Sequence, residues 1–565
     1  MNYKSYIAER LKIEGLTKEE VADAIEVPPD LTMGDYALPC FRFAKIFRKP
    51  PALIAETLKA EYKTDEVITS AVAVNGYLNF RVNKIGLIKE TLSRITEEGE
   101  RYGSSDEGKG KTIVIDYSSI NIAKPFHIGH LSTTVIGGAL YRIFKYLGYN
   151  TVGINHLGDY GTQFGKLIYA YKAWGSREEV EKGGIKELTR LYVRYHKEAE
   201  THPEADDKAR EYFRLIENGD EECVGLFSWF KELTLKDVNK IYDELGIKFD
   251  SYAGESFYND KMQPVIDELE EKGLLKTSDG AKIVDLEEYG MPPCLILRSD
   301  GASLYATRDL AAACYRKAHY DFYKCLYVVA YQQNLHFRQI FKVLELMGKP
   351  WAKDLVHVAY GMVSLLDENG NQVAMSTREG KVVLLEDVLA KCREKALEII
   401  ENKNPDLENK EETARMVGNG AVVFAALSNS KIKDIAFSYD KILNFDGETG
   451  PYCQYTAARI KSVLRKGGEP KKYEIGAVTD EEYALISCLA EFPETVRQAA
   501  EKLEPFYITR YAINLSSLFN KFYMGCRIIG EEENVMNFRL DVCKSTLRTL
   551  GNALSLLGIK VPEKM

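Results

Sequence analysis

Residues 111–148 contain the pattern that indicates the fold, KTIVIDYSSINIAKPFHIGHLSTTVIGGALYRIFKYLG. Its first part, TIVIDYS, is a β-branched run of the length expected for a buried parallel strand. Apolar residues then recur at helical spacing from Leu131, and Gly148 marks the predicted end of that helix. A second strand pattern, TVGINHLGD, follows at 151–159. This order predicts a βαβ unit and therefore a doubly wound, Rossmann-type parallel sheet of the α/β class.

The turn between strand and helix, NIAKPFHIGH, is rich in protonatable groups. His127 and His130 lie three residues apart, so on a helical first turn both rings face the same side. Imidazoles there can hydrogen-bond phosphate oxygens and stabilise charge at a phosphorus centre. Gly129 lacks a Cβ, which lets a flat ring such as adenine approach, and Lys124 is a flexible cation. Such a pattern alone more often caps a helix, but His156 also flanks this crossover, which favours a nucleotide site.

Composition limits the class of protein. A chain of 565 residues with 45% apolar and 28% charged residues is a soluble globular protein with several domains. The start lacks a hydrophobic signal core, and no apolar run approaches the roughly 20 residues of a membrane helix. The ten cysteines are scattered without zinc spacing, so we expect reduced thiols and no structural zinc. The sequence therefore predicts a cytoplasmic protein that does not bind a membrane.

The net charge of −9 does not exclude a nucleic-acid partner, because local basic patches decide binding. Two stretches are basic, RFAKIFRKP at 42–50 and RIKSVLRKGGEPKK at 459–472. Each is compatible with phosphate binding or with an ordinary solvated helix face, and the residues alone leave both interpretations open.

Patterns along the chain predict the domain organisation. VAVNGYLNFRVN near the start predicts a hairpin around an Asn-Gly turn, and 97–111 is polar and glycine-rich like a linker. Strand patterns after the insertion end near 365, and from 384 onward the pattern is almost wholly helical. The predicted parts are an α+β N-terminal domain (1–100), a Rossmann-type catalytic domain (108–385) with a helical insertion (about 168–274), a helical connecting region (386–450) and an all-α C-terminal bundle (451–565).

Several motifs together resemble the arginyl-tRNA synthetases, a family of class I. SSINIAKPFHIGHLSTTVIGGA contains the class signature, and INHLGDYGTQFG follows it at 154–165. ATRDLAA (306–312), AYQQNLHF (330–337) and MSTREGKVV (375–383) match further family motifs in the right order. MGDYALPCFRFAK resembles the additional N-terminal domain of the family, and YITRYAINLSSLFNKFY its anticodon-binding bundle. The resemblance therefore covers essentially the whole chain.

The resemblance implies an arginine–tRNA ligase that acts in protein synthesis. L-Arginine would react with ATP, accompanied by Mg²⁺, to give arginyl-adenylate, and the arginyl group would pass to the 3′ end of tRNA(Arg). The N-terminal domain and the C-terminal bundle would both bind the tRNA, and the family expectation is a monomer. The implied catalytic residues are His127, His130 and Lys124. The implied ATP-binding residues are His127, Gly129, His130, Met375 and Ser376. The implied arginine-binding residues are Asp116, Ser119, Asn121, His130, Tyr305, Asp309 and Gln333.

The second class signature departs from the usual KMSKS. AMSTREG places Ala374 and Thr377 at the two lysine positions, and the nearby Arg378 and Lys381 are out of register. The resemblance suggests that family members without that lysine have one just before the first signature histidine. Lys124 stands there, and we hypothesise that it supplies the missing cation.

Other interpretations remain open from the residues. Asp309 alone would be an ordinary helix-start aspartate, and Asp116 is shorter than the glutamate that the family often has there. His336 and His357 receive no role, and core or surface positions are expected for them. A catalytically silent tRNA-binding paralogue would share the fold. A cysteinyl-type class I enzyme would need zinc-ligand cysteines and would not explain INHLGDYGTQFG.

Overall fold

The computed structural model of the protein describes residues 2–28, 31–122, 124–299, 305–366 and 383–565. The chain forms two compact units. One unit combines Met1–Tyr102, Ile460–Pro493 and Asn514–Leu550, and the other combines Gly103–Arg459, Glu494–Ile513 and Gly551–Met565. The last helical part of the chain therefore contributes to both units.

The N-terminal stretch mixes helices and strands. Its elements are α1 (Tyr3–Ala8), α2 (Lys18–Ala24), β1 (Tyr36–Pro39), α3 (Ala44–Phe47), α4 (Pro51–Glu61), β2 (Ile68–Val74), β3 (Tyr77–Val82) and α5 (Lys84–Glu98). The strands form an antiparallel sheet in the order β1-β3-β2. Asn75 and Gly76 both have positive φ, as the tight turn of a hairpin requires, which confirms the predicted hairpin.

Buried polar contacts hold the first unit together. The Asp35 carboxylate accepts hydrogen bonds from the Val82 amide and the Tyr483 hydroxyl, each 2.8 Å long. The Tyr102 hydroxyl donates to the Leu489 carbonyl at 2.8 Å, and Tyr102 is fully buried. The prediction of a linker at 97–111 is therefore wrong at its start, because the chain packs there before it reaches the next strand.

The second unit contains the predicted Rossmann-type sheet. Its elements are β4 (Thr112–Asp116), α6 (Leu131–Tyr146), β5 (Asn150–Ile154), α7 (Thr162–Trp174), α8 (Arg177–Thr201), α9 (Glu204–Glu217), α10 (Glu221–Leu245), α11 (Met262–Glu271), β6 (Leu275–Ser278), β7 (Ala281–Val284), β8 (Cys294–Leu297), α12 (Tyr305–Tyr320), β9 (Lys324–Tyr327), α13 (Asn334–Leu346), β10 (Leu355–His357) and β11 (Val363–Leu365). Helices α7 to α11 form the predicted helical insertion.

The parallel sheet has the order β10-β9-β4-β5. From β4 the chain passes through α6 to β5 on one side, and after the insertion it returns to β9 on the other side. The direction of winding therefore reverses between β4 and β9, and ligands of such sheets bind outside the carboxyl ends at this point. Asp116, at the end of β4, lies opposite Ile154 and Tyr327 in the register. This architecture confirms the predicted α/β class.

The strand patterns outside this sheet form smaller sheets. Strands β6, β7 and β8 make an antiparallel sheet of their own after the insertion. The remaining elements are α14 (Leu385–Lys403), α15 (Lys410–Leu427), β12 (Ile435–Phe437), α16 (Tyr439–Ile442), α17 (Gly450–Gly467), α18 (Asp480–Ala490), α19 (Phe492–Glu501), α20 (Phe506–Gly525) and α21 (Glu533–Leu557). The short β12, which pairs with β11, is an exception in a region predicted to be helical. Among the described residues, no helix has the length and apolarity to cross a membrane.

Candidate functional site

The turn after β4 is held in an unusual backbone conformation. Ser118 and Ser119 both have positive φ (68° and 44°), which non-glycine residues adopt at a cost. The Ser118 amide donates to the Thr133 hydroxyl at 2.9 Å, and the Ser118 hydroxyl lies 2.7 Å from that of Tyr242. The start of α6 and the insertion helix α10 therefore fix the turn that follows the central strand.

The two signature histidines contact each other. Their ring centroids are 4.1 Å apart, and the ring of His130 also stacks on Phe126. The Gly129 amide donates to Nδ1 of His127 at 3.1 Å, and the His127 amide donates to Nδ1 of His130 at 3.3 Å. Because each Nδ1 accepts a hydrogen bond, each neutral ring carries its proton on Nε2.

The electrostatics of the pair keep both rings uncharged. Burial lowers the pKa of His127, and the charge of Lys124 lowers it further. Burial also lowers the pKa of His130 to about 3, with additional contributions from His127 and Lys124. At neutral pH the site therefore presents two neutral N–H donors and, close to them, one lysine.

Gly129 is required by the geometry of the histidine pair itself. A Cβ at this position would lie 2.8 Å from Cε1 and 2.9 Å from Nδ1 of His127. These distances are shorter than real Cβ contacts, so a side chain here would displace the ring. This reason stands beside the predicted approach of a flat base, which no contact in the structure tests.

The signature turn is paired with the end of the MSTREGKVV motif and with the residues just after it. The Ile128 amide donates to the Val383 carbonyl, and the Leu385 amide donates to the Phe126 carbonyl. Met375 and Ser376, predicted to bind ATP, lie outside the described residues. The same is true of the other residues discussed in that motif, Ala374, Thr377, Arg378 and Lys381.

Asp116 is engaged on both carboxylate oxygens. Oδ2 forms an ion pair with Nη2 of Arg316 at 2.7 Å, and Oδ1 accepts a hydrogen bond of 2.7 Å from the hydroxyl of Ser119. Both partners of the ion pair are buried, with side-chain exposures of 1% for Arg316 and 7% for Asp116. Asp116 and Ser119 therefore lie together, and Arg316 is a partner that the sequence did not indicate.

Asp309 lies one helical turn into α12, with Tyr305 one turn before it at the exposed start of the helix. Oδ2 of Asp309 is 2.6 Å from Nε2 of His336, and Oδ1 is 4.0 Å from Nε2 of His156. Burial alone would raise the pKa of Asp309, but the hydrogen bond from His336 and nearby positive groups lower it. Asp309 is therefore an ionised carboxylate that remains partly open to solvent.

Gln333 and Asn121 occupy different parts of the same edge. Gln333 is exposed in the turn before α13, one helical turn from His336. Asn121 forms a bridge with Gly158, where a Cβ would lie 2.4 Å from Oδ1 of Asn121. Gly158 of the INHLGDYGTQFG motif thus leaves room for Asn121 of NIAKPFHIGH.

The INHLGDYGTQFG motif also holds a loop of the insertion, through Asp159. Oδ2 of Asp159 accepts hydrogen bonds from Nζ of Lys231 (2.6 Å) and from the Ser256 hydroxyl (2.7 Å), and Oδ1 accepts from the Ser256 amide (2.8 Å). The adjacent Glu255 forms an ion pair of 3.5 Å with Arg308. Burial raises the pKa of Glu255 to about 7, against the effect of Arg308.

Comparison with known proteins identifies the family of the chain. The family model for the catalytic domain of class I tRNA synthetases (R) matches residues 91–439. Models for the DALR anticodon binding domain and the arginyl tRNA synthetase N-terminal domain match residues 453–565 and 1–82. The chain belongs to the class I arginyl-tRNA synthetase family.

Relatives resemble the protein over its full length. An arginine–tRNA ligase of Clostridioides difficile is 53% identical, and one of Halothermothrix orenii is 52% identical, each alignment covering 98% of both chains. The solved structure of Thermus thermophilus arginyl-tRNA synthetase superposes with a TM-score of 0.84 at 28% identity, covering 96% of both chains.

The sequence left several residues of this edge without a role. Arg316 forms an ion pair with the site residue Asp116, which is two hundred residues away in the chain. Glu255 pairs with Arg308, and Asp159 holds Ser256, so both connect the insertion to this edge. Local patterns carry no signal for such contacts. His336 had a signal, because it follows Gln333 by one helical turn in AYQQNLHF. His156 was recognised only as a neighbour of the crossover, and it lies between Asp309 and Arg316, with Nδ1 3.4 Å from Nη2 of Arg316.

Proposed function

We propose that the protein activates L-arginine with ATP and transfers it to the 3′ end of tRNA(Arg). The carboxylate oxygen of arginine attacks the α-phosphorus of ATP, the bond to the β-phosphate oxygen breaks, and pyrophosphate leaves. The terminal ribose hydroxyl of the tRNA then attacks the arginyl carbonyl, and AMP leaves. The observation that carries the proposal is that a neutral histidine pair follows β4 and that an ionised Asp309 contacts His156, which follows β5, at the carboxyl edge of the same sheet.

In this proposal the histidine pair stabilises the α-phosphate of ATP during the reaction. Attack at the α-phosphorus places negative charge on its non-bridging oxygens, and fixed N–H donors stabilise that charge without reorganising. His127 and His130 are held by backbone amides, so each offers Nε2–H in a fixed direction. Their lowered pKa values support a role as hydrogen-bond donors that remain neutral through the reaction.

Asp309 serves the guanidinium of arginine. A planar cation with five donors needs a carboxylate and neutral acceptors in fixed geometry. Tyr305 lies one helical turn before Asp309, and Gln333 lies one turn before its partner His336. In this proposal both residues complete the side-chain pocket. Ser119 and Asn121 contact the substrate backbone, and Asp116 supports them through its hydrogen bond with Ser119.

Lys124 supplies the cation that the second signature lacks. Its charge acts on both histidines and on Glu255, which is consistent with a position near the phosphates. Replacing it with alanine should lower pyrophosphate exchange by at least tenfold. Lys145→Ala, at the exposed far end of α6, is the matched control. If Lys124→Ala retained exchange within about threefold, under 1 kcal/mol, the hypothesis would be refuted.

ATP enters the site as a substrate with Mg²⁺ on its phosphates. Within the described ranges, no group of three or more His, Cys, Asp or Glu side chains is arranged to hold a metal ion. In this proposal Mg²⁺ accompanies the nucleotide, and the side chains named above bind and orient the phosphates.

The tRNA contacts three parts of the chain in this proposal. The domain of residues 1–100 meets its outer corner, the domain of residues 108–385 receives its acceptor end, and the bundle of residues 451–565 meets its anticodon. Lys45, Arg48 and Lys49 are exposed beside α3, which supports phosphate contacts there. We further propose that the protein acts as a cytoplasmic monomer. Light scattering would measure the molar mass of the purified protein and so test the monomeric state.

The decisive experiment is ATP–pyrophosphate exchange with each of the twenty amino acids in the presence of tRNA. Arginine alone should support exchange, and tRNA should then accept labelled arginine. The assay must contain tRNA, since the family is expected to need it for activation. Binding of tRNA without any exchange would instead indicate a silent tRNA-binding paralogue and would overturn the proposal.

A further inference from the structure

Asp309 has one hydrogen-bond partner that the proposed reaction does not use. Nε2 of His336 lies 2.6 Å from Oδ2 of Asp309, and the two residues come from different helices, α13 and α12. His336 is about a quarter exposed, and its neighbour Phe337 faces the core. The imidazole therefore lies at the edge of the site and not inside the core.

This contact constrains how Asp309 can receive a cation. A carboxylate on a short side chain can rotate about χ2, and a bidentate partner needs both oxygens in one plane. The donor from His336 fixes Oδ2, and His156 lies 4.0 Å from Oδ1 on the other side. The carboxylate thus lies between two imidazoles, and its side chain is 28% exposed.

Charge around the pair also affects recognition of a guanidinium. The titratable groups that interact with the charge of Asp309 include His336 from α13, His156 from the turn after β5, Arg316 from its own helix, Glu255 from the insertion and Cys294 from β8. Arg316 is already paired with Asp116 at 2.7 Å. His336 is therefore the group whose hydrogen bond to Asp309 can be removed without breaking that buried ion pair.

We propose that His336 is a positioning residue for arginine, which fixes the Asp309 carboxylate in the orientation that receives the guanidinium. The proposal rests on the proposed function, since it names the residue that sets the specificity of the same site. His336 does not touch the reacting atoms and acts through Asp309.

The test compares two substitutions at one position. His336→Ala removes the donor, and His336→Gln keeps an N–H donor at a similar reach. A charge-assisted hydrogen bond contributes enough that its loss should raise KM for arginine by about tenfold. KM for ATP and kcat should stay within about threefold, and the glutamine variant should recover most of the affinity for arginine.

His319→Gln is the matched control, because it removes an exposed histidine from the last turn of α12. A fall in kcat and a lower thermal midpoint without a change in KM for arginine would indicate a purely structural role and overturn the proposal. An unchanged KM in His336→Ala would overturn it as well. If the wild-type protein catalysed no arginine-dependent pyrophosphate exchange, that result would instead refute the proposed function and this inference with it.

Discussion

Replacing Asp309 with asparagine tests the chemistry of the arginine pocket directly. The substitution keeps the size and one oxygen of the side chain but removes its charge. In the structure this carboxylate is ionised, accepts a hydrogen bond from His336 and is 28% exposed. A guanidinium seated on it would therefore lose an ion pair and keep a neutral acceptor.

The size of the effect follows from the environment. Two unit charges about 4 Å apart near a protein surface attract by about 4 kcal/mol. The exposed fraction of Asp309 screens part of this, so the loss should be roughly 2 to 3 kcal/mol. That corresponds to about a 30- to 150-fold fall in kcat/KM for arginine.

The assay is tRNA-dependent pyrophosphate exchange with arginine and ATP varied separately. Asp309→Asn should reduce kcat/KM for arginine and leave KM for ATP within about threefold. Asp321→Asn is the matched control, since Asp321 is an exposed carboxylate just after α12 that forms an ion pair with Lys317 at 2.7 Å. A variant at 309 that keeps kcat/KM for arginine within threefold would refute the assignment of Asp309 to the guanidinium.

Two further substitutions test the phosphate side and the loop of the insertion. Gly129→Ala should displace the His127 ring and reduce pyrophosphate exchange at least tenfold. Gly551 is a helical glycine with open space around it, so Gly551→Ala is the control and should leave exchange unchanged. Equal activity of the two variants would contradict the packing argument. Glu255→Gln should change how stability depends on pH. Burial raises the pKa of Glu255 to about 7, so the folded state keeps this proton while the unfolded state ionises from about pH 4.5. The contribution of Glu255 to the free energy of unfolding is therefore complete below pH 4.5. It falls by up to roughly 3 kcal/mol as the pH rises to 7. The thermal midpoint of Glu255→Gln relative to that of the wild type should therefore rise between pH 5 and 7.5. Glu271→Gln, at the exposed end of α11, is the control and should show no such rise. A constant difference between Glu255→Gln and wild type across that range would contradict the burial argument.

Local patterns in the sequence were sufficient for the main elements of the site. The β-branched run of β4, the amphipathic pattern of α6 and the glycine after it predicted the βαβ unit correctly. The spacing of His127 and His130 correctly predicted two rings on one side of a turn. These features depend on residues that are neighbours in the chain, so period and turn chemistry determine them.

The contacts that define the pocket could not be read in the same way. Arg316 reaches Asp116 across two hundred residues, and Asp159 holds Ser256 across nearly a hundred. The fold alone brings these side chains together, and an isolated arginine or aspartate in a helical pattern has no period that reveals its partner. The linker predicted at 97–111 was wrong at Tyr102 for a related reason, because its ring is buried by helices far along the chain.

A crystal structure of the protein with arginine bound would show directly whether Asp309 receives the guanidinium. We expect the guanidinium within hydrogen-bond distance of the Asp309 carboxylate, with His336 still donating to Oδ2 and the substrate carboxylate directed toward His127 and His130. A guanidinium bound away from Asp309 and Tyr305 would contradict it.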